Sequence, residues 1–283
     1  MKKDDFLTTF FSFKENPFAL TPDPKYLFLG EKHREVLAHL TFGVREDKGF
    51  MVVVGEVGTG KTTLCRAFIN HLLEENVEVG LIYNPALTDL EMLQAVNREF
   101  KLPSDLDSKG KLIEVLNAFL LRVSGESRQV VLIIDEAQFL TSAALDELRL
   151  ISNMEGEFGK LLVICLVGQV ELEAKLRHKK HRSLRQRTTV RYRLKCLNKE
   201  ETQDYLAHRL AVAGNDNAED VFSLEAMDVI FKLSRGIPRE INVLADRSLL
   251  NAYLEDQRIV EPRHVESVAS EFGFEGISVG LRA

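Results

Sequence analysis

Apolar and polar positions fall into two regimes along this chain. Up to about residue 197, short continuous apolar runs alternate with stretches of helical period. The runs GFMVVVG at 49–55, QVVLIID at 129–135 and KLLVICLVG at 160–168 read as strands buried on both faces of a parallel sheet, with VEVGLIY at 77–83 a weaker fourth. The pattern predicts helices over 61–75, 89–99 and 142–154, the last capped by Thr141 or Ser142. Ahead of the first strand, Val36, Leu37, Leu40 and Val44 recur at helical spacing within 31–46. From 198 onward the strand signal stops. Four helical stretches follow at 199–213, 223–234, 238–255 and 261–272, the first opened by Asn198 and Glu201 as a capping box.

The alternation implies a doubly wound α/β domain, and the tail a smaller helical one. Residues 1–30 fit neither regime. They are rich in Phe, and Pro17, Pro22 and Pro24 block a regular helix, so the segment is expected to be an extended arm lying on an apolar surface. The expected division is 1–48 (arm and first helix, packed on the core), 49–197 (α/β core) and 198–283 (helical lid).

Composition narrows the class. The chain has 283 residues, 45% of them apolar, which suffices for a large core with a smaller companion. Its longest apolar stretch, LLVICLV at 161–167, is about a third of the roughly 20 residues that a bilayer crossing needs, and MKKDDF is too polar to open a signal peptide. A soluble cytoplasmic protein without a transmembrane segment is expected. Cys65, Cys165 and Cys196 are widely spaced, which favours reduced thiols over a disulfide or a metal site. The formal net charge is −6, yet KLRHKKHRSLRQRTTVRYRLK at 175–195 holds ten Lys and Arg in its twenty-one positions and no acid. In this run Arg191 and Arg193 alternate with Val190, Tyr192 and Leu194, as on a strand with one apolar face. The KLRHKKHR portion reads as a solvated helix face, a dock for an acidic partner, or a nucleic-acid contact.

Candidate chemistry starts at the end of the first strand. Gly55, Glu56, Val57, Gly58, Thr59, Gly60, Lys61, Thr62 and Thr63 contain the order G-x-x-x-x-G-K-T between a buried strand and a helix. Glycines let the backbone wrap closely round phosphates, so that N–H groups and the positive helix end face the oxygens. Lys61 is expected to reach the β and γ phosphates of ATP, and Thr62 to ligate Mg²⁺. Seventy-three residues after Thr62, the strand VVLIID ends at Asp135 and Glu136. Asp135 is expected to hold Mg²⁺, and Glu136 to orient and polarise the attacking water. The next strand ends at Gln169, whose amide can bridge the γ phosphate and that water. DEAQ is similar to the motif of DEAD-type helicases, but those need a second RecA-like domain, which the short helical tail does not supply.

The segments FFSFKENPFALTPDPKYLFLGEKHREVLAHLTFGVRE, GEVGTGKTTL, IIDEAQFL, LVGQVEL, LRQR and GIPREIN together resemble the AAA+ ATPase module of ExeA/GspA-type general secretion proteins and their pilus-biogenesis relatives. The resemblance implies a P-loop core with a five-stranded parallel sheet, an all-helical lid, Mg-ATP hydrolysis, and self-association into a ring or filament that serves a secretion or pilus assembly protein. It matches Gln169 to the first sensor and Arg239 to the second, a lid arginine aimed at the γ phosphate. By position, LRQR resembles the arginine-finger element, with Arg187 in the finger place and Arg185 second. ExeA-type proteins continue into a membrane helix and a periplasmic domain. Ending at GISVGLRA therefore suits either a short relative or the cytoplasmic module of an inner-membrane protein. The rival reading is a DNA-binding AAA+ regulator of transposition type, whose core motifs look nearly the same.

Overall fold

A computed structural model describes residues 6–273 except 22, 84 and 158; the GISVGLRA end lies outside these. The chain divides into two compact units, Glu31–Val57 with Lys61–Lys195, and Met1–Gly30 with Gly58–Gly60 and Cys196–Ala283. The arm opens with a short helix, Phe6–Phe10 (α1), where an extended segment is expected. The three prolines all follow this helix, so they do not prevent it.

In chain order the α/β unit comprises Glu31–Arg45 (α2), Phe50–Gly55 (β1), Lys61–Glu74 (α3), Glu78–Ile82 (β2), Asp89–Glu99 (α4), Lys109–Gly125 (α5) and Val130–Ile134 (β3). It continues with Ser142–Ile151 (α6), a two-stranded ribbon of Glu155–Gly156 (β4) and Gly159–Lys160 (β5), Val163–Gly168 (β6), Val170–Arg177 (α7), Arg182–Arg187 (α8) and Thr188–Leu194 (β7). One difference from expectation stands out: the run at 160–168 gives its first residue to the ribbon and starts its sheet strand at Val163. Helix α5 is a further one of the helices between strands.

Five strands form one parallel sheet in the order β2-β3-β6-β1-β7. Alternate residues explain why the apolar runs are continuous. Val52, Val54, Leu132, Ile134, Ile164 and Leu166 join one buried cluster with Met92 and Val96 of α4, Leu116 of α5 and Leu148 of α6. Met51, Val53, Val131, Ile133, Cys165 and Val167 join another with Leu40 of α2 and Phe68 of α3. A sheet covered on both faces leaves no position for a polar side chain inside its central strands. The edge strand β7 shows the expected alternation, with Arg191 and Arg193 exposed and Leu194 buried. Because β6 pairs with both β1 and β3, the carboxyl ends of these three strands lie side by side. That placement brings Gly55, Asp135 and Gln169 to one edge.

The second unit contains Lys199–Val212 (α9), Leu224–Ser234 (α10), Pro238–Leu254 (α11) and Pro262–Phe272 (α12). Asn198 and Glu201 form the expected capping box, at 2.7 Å and 3.0 Å, and Pro238 stands in the first turn of α11, where its missing N–H costs nothing. The arm shares the core of this helical unit. Phe11, Phe13 and Phe18 are buried in the same cluster as Leu206, Phe222, Ile230 and Leu244, and Phe18 meets Phe222 edge to face with ring centroids 5.9 Å apart. Arg209, almost wholly buried on α9, donates to the carbonyls of Pro17 and Ala19 and lies 4.2 Å from the Tyr26 ring centre. Each buried phenylalanine contributes roughly 1.5–3 kcal/mol, so three of them rival the ~5–15 kcal/mol net stability of a typical domain.

Candidate nucleotide site

The phosphate loop leaves β1 at Gly55 and becomes α3 at Lys61. Gly58 and Gly60 have φ of 81° and 90°, which side-chain-bearing residues rarely adopt. Glu56 and Val57 are exposed, Thr59 is buried, and Thr62 and Thr63 are half-buried on the first turn of α3. The Lys61 ammonium folds back over the loop, donating to the carbonyls of Gly55 at 3.0 Å and Glu56 at 2.8 Å. Burial lowers its pKa, against the pull of Glu136, Asp135 and Glu56. Glu56 also pairs with Arg193 of β7 at 3.3 Å.

Thr62 donates its hydroxyl to Asp135 Oδ2 at 3.1 Å, across seventy-three residues of sequence. Asp135 follows β3 and is 2% exposed. Burial raises its pKa, opposed by hydrogen bonds from the Glu136 N–H and the Thr62 hydroxyl. A buried carboxylate beside a hydroxyl, next to a lysine among backbone carbonyls, is a donor set that fits a magnesium–phosphate group. The cation would restore the charge that burial disfavours on Asp135, and the phosphates would do the same for Lys61.

Glu136 has φ of 54°, a left-handed conformation that turns the chain into a 3₁₀ turn over Ala137–Phe139. The turn returns Gln138 alongside Glu136, and the Gln138 amide donates to Glu136 Oε2. Gln169, at the head of α7, donates its side-chain amide to the same oxygen at 3.3 Å and its backbone N–H to Gln138 Oε1 at 2.9 Å. Lys61, Thr62, Asp135, Glu136 and Gln169 therefore meet in one unit. Gln138 belongs to this group and sequence reasoning missed it; the fourth letter of DEAQ was its only signal.

The arginines stand differently. Arg185 donates to the Arg177 carbonyl at 3.2 Å and Arg187 to Asn153 Oδ1, partners outside the Asp135–Glu136 group. Arg239 donates its backbone N–H to the carbonyl of Gly58, which belongs to the same unit, at 3.4 Å. A Cβ on Gly58 would lie 2.9 Å from Arg239 Cβ. Two members of the basic run have local roles: Lys175 donates to the carbonyls of Gln138 and Leu140, and buried His181 meets Ser142 Oγ at 3.3 Å. Lys179, Lys180 and Arg182 stay exposed. No helix among the described residues is long and apolar enough to cross a membrane.

Residues 44–176 match the AAA domain family. The chain is 41% identical over 247 residues to General secretion pathway protein A of Aeromonas hydrophila, a match that takes in 87% of this chain and 45% of that protein. The chain thus spans under half the length of this relative. Among solved structures it is similar to the ORC2 protein of Aeropyrum pernix (TM-score 0.67, 17% identity, 94% of this chain and 72% of that one). Cdc6p of Pyrobaculum aerophilum is as similar (0.67, 17%, 90% and 70%), and the RuvB branch migration motor of Thermotoga maritima follows (0.57, 17%, 89% and 73%). At these identities the structures speak for the fold alone, and that fold is the expected one. The chain therefore carries an AAA domain on an AAA-type P-loop fold, and across most of its length it is a relative of General secretion pathway protein A.

Proposed function

We propose that the protein is an AAA+ ATPase that binds and hydrolyses Mg-ATP in an oligomer, in the cytoplasm, to drive or regulate assembly of a bacterial secretion system or pilus. The observation that carries the ATPase part is the 3.1 Å contact of Thr62 with Asp135 beside Lys61, with Glu136 next in the chain. The assembly part rests on the likeness to General secretion pathway protein A.

In this reading Lys61 exchanges the loop carbonyls for the β and γ phosphates, and the loop N–H groups face the same oxygens. Thr62 Oγ1 and Asp135 would hold Mg²⁺. The bound cation supplies neutralisation of charge on the phosphate oxygens. Glu136 accepts a hydrogen bond and then the proton from the attacking water, with Oε1 turned to it because Oε2 is taken by two amides. Gln169 and Arg239 take the two sensor roles, and a neighbouring subunit's Arg187, with Arg185 as second candidate, adds positive charge as the transition state develops.

The purified protein is expected to hydrolyse ATP only with a divalent cation, and chelation should stop it. Lys61→Ala should weaken binding of a fluorescent ATP analogue by about 100-fold, the equivalent of one or two charge-assisted hydrogen bonds. Unchanged affinity would remove the loop from the site.

The oligomeric part has its own measurement. Arg187→Ala should keep nucleotide affinity and lose turnover by about 10³-fold, the usual worth of such a residue. Mixing it with Glu136→Gln subunits should restore activity, because the Arg187→Ala subunit keeps Glu136 and receives an intact arginine. No recovery in mixtures shown to co-assemble would place Arg187 outside its neighbour's site.

A further inference from the structure

We propose that Gln138 is a positioning residue for hydrolysis: it ties Glu136 to the head of α7 and so fixes which carboxylate oxygen faces the attacking water. The inference rests on the ATPase reading above and adds to it a residue that this reading does not require.

The amide orientation follows from its partners. The Gln169 backbone N–H can only donate, so the Gln138 atom 2.9 Å from it is the carbonyl oxygen. The amide nitrogen then faces Glu136 Oε2, which, on a carboxylate, can only accept. Gln169 Nε2 reaches the same oxygen at 3.3 Å. Two donors on Oε2 restrict rotation of the carboxylate and leave Oε1 for the water. Few side chains could replace glutamine at 138. Glutamate would set a second negative charge against Glu136, leucine offers neither bond, and asparagine is one methylene short.

The surroundings hold the residue in place. The Lys175 ammonium donates to the Gln138 carbonyl and, at 2.7 Å, to the Leu140 carbonyl, pinning the turn that carries the side chain. Gly168 makes room for it: a Cβ there would lie 2.8 Å from Gln138 Oε1 and 3.2 Å from its backbone nitrogen. The left-handed Glu136 aims the turn. Three elements, the end of β3, the end of β6 and the first turn of α7, thus converge on one amide that contributes no atom to the phosphate loop.

The test compares the wild-type 283-residue chain with Gln138→Leu and the isosteric Gln138→Glu, using Mg-ATP turnover, affinity for a fluorescent ATP analogue, and thermal midpoint. Both variants should lose about 10- to 100-fold in kcat. KM and nucleotide affinity should stay within about twofold, because Lys61, Thr62 and Asp135 are untouched. A residue that merely supported the fold would lower affinity and midpoint together with the rate. Wild-type kcat in Gln138→Leu, or a parallel fall of all three quantities in both variants, overturns the proposal. Active wild-type protein with an inactive Lys61→Ala control confines that failure to Gln138. Wild-type protein that hydrolyses no ATP overturns the ATPase reading and this inference with it.

Discussion

Exchanging Glu136 for glutamine is expected to leave ATP bound and to lower turnover by about 10²–10⁴-fold, the usual contribution of a general base. The bonds of this side chain run to Gln138 and Gln169, neither of which belongs to the loop that would hold phosphate. Glutamine has the same shape and can offer its carbonyl oxygen to both amides, so the local fold should persist. What it cannot do is take a proton from water. Single-turnover hydrolysis measured beside equilibrium binding separates the two effects. Equal losses in binding and rate would mean that Glu136 helps to hold the nucleotide, and the roles given to Lys61 and Glu136 would have to be redrawn.

Placing alanine at Gly236 should damage the helical unit more than loss of an exposed side chain would. Gly236 has φ of 73°, and a Cβ there would come 1.8 Å from the Leu197 carbonyl oxygen and 2.8 Å from its carbon. The two backbones are already joined, with the Leu197 N–H donating to the Gly236 carbonyl at 2.9 Å. Neither strand of chain can yield without breaking that bond. Left-handed strain and a backbone clash together are expected to cost about 3 kcal/mol or more. At roughly 2–4 °C per kcal/mol for a chain of this size, calorimetry should show the thermal midpoint falling by about 6–12 °C. A midpoint unchanged within about 2 °C would mean that the loop ahead of α11 relaxes freely.

The parts of the molecule legible in the sequence were those fixed by local rules. Buried parallel strands announce themselves because neither face admits a polar residue, as in VVLII of β3. The loop from Gly55 to Lys61 needs glycine where φ is positive, which restricts its spelling. The acidic pair after β3 follows from where the strand ends. Helix α5 repeats Leu112, Leu116, Phe119, Leu120 and Val123 on one face, but its polar opening and a Ser108 that makes no side-chain cap bond leave its start unmarked in the letters. The surface under the arm could not be read at all. Phe11, Phe13 and Phe18 say that something apolar receives them, but the receiver is close to 200 residues away in the chain. Gln138 was hidden for a different reason. Its position beside Glu136 depends on a left-handed residue that is not glycine, and nothing in the letters marks Glu136 as one. Charge counting likewise says nothing of Lys175's local role, in which its ammonium donates to the carbonyls of Gln138 and Leu140.

The helical unit takes its residues from both sides of the α/β unit in sequence, and this has a consequence during synthesis. When the arm leaves the ribosome, the helices that bury Phe11, Phe13 and Phe18 have not been made. About 165 residues separate Gly30 from Cys196, which at roughly 5–20 residues per second takes on the order of ten to thirty seconds. Over that interval the nascent chain carries an unburied aromatic segment ahead of a domain that can already be folding. Such a segment is the kind of sequence that chaperones bind and that aggregates capture, so yield from a cell should depend on how fast the helices after Cys196 arrive.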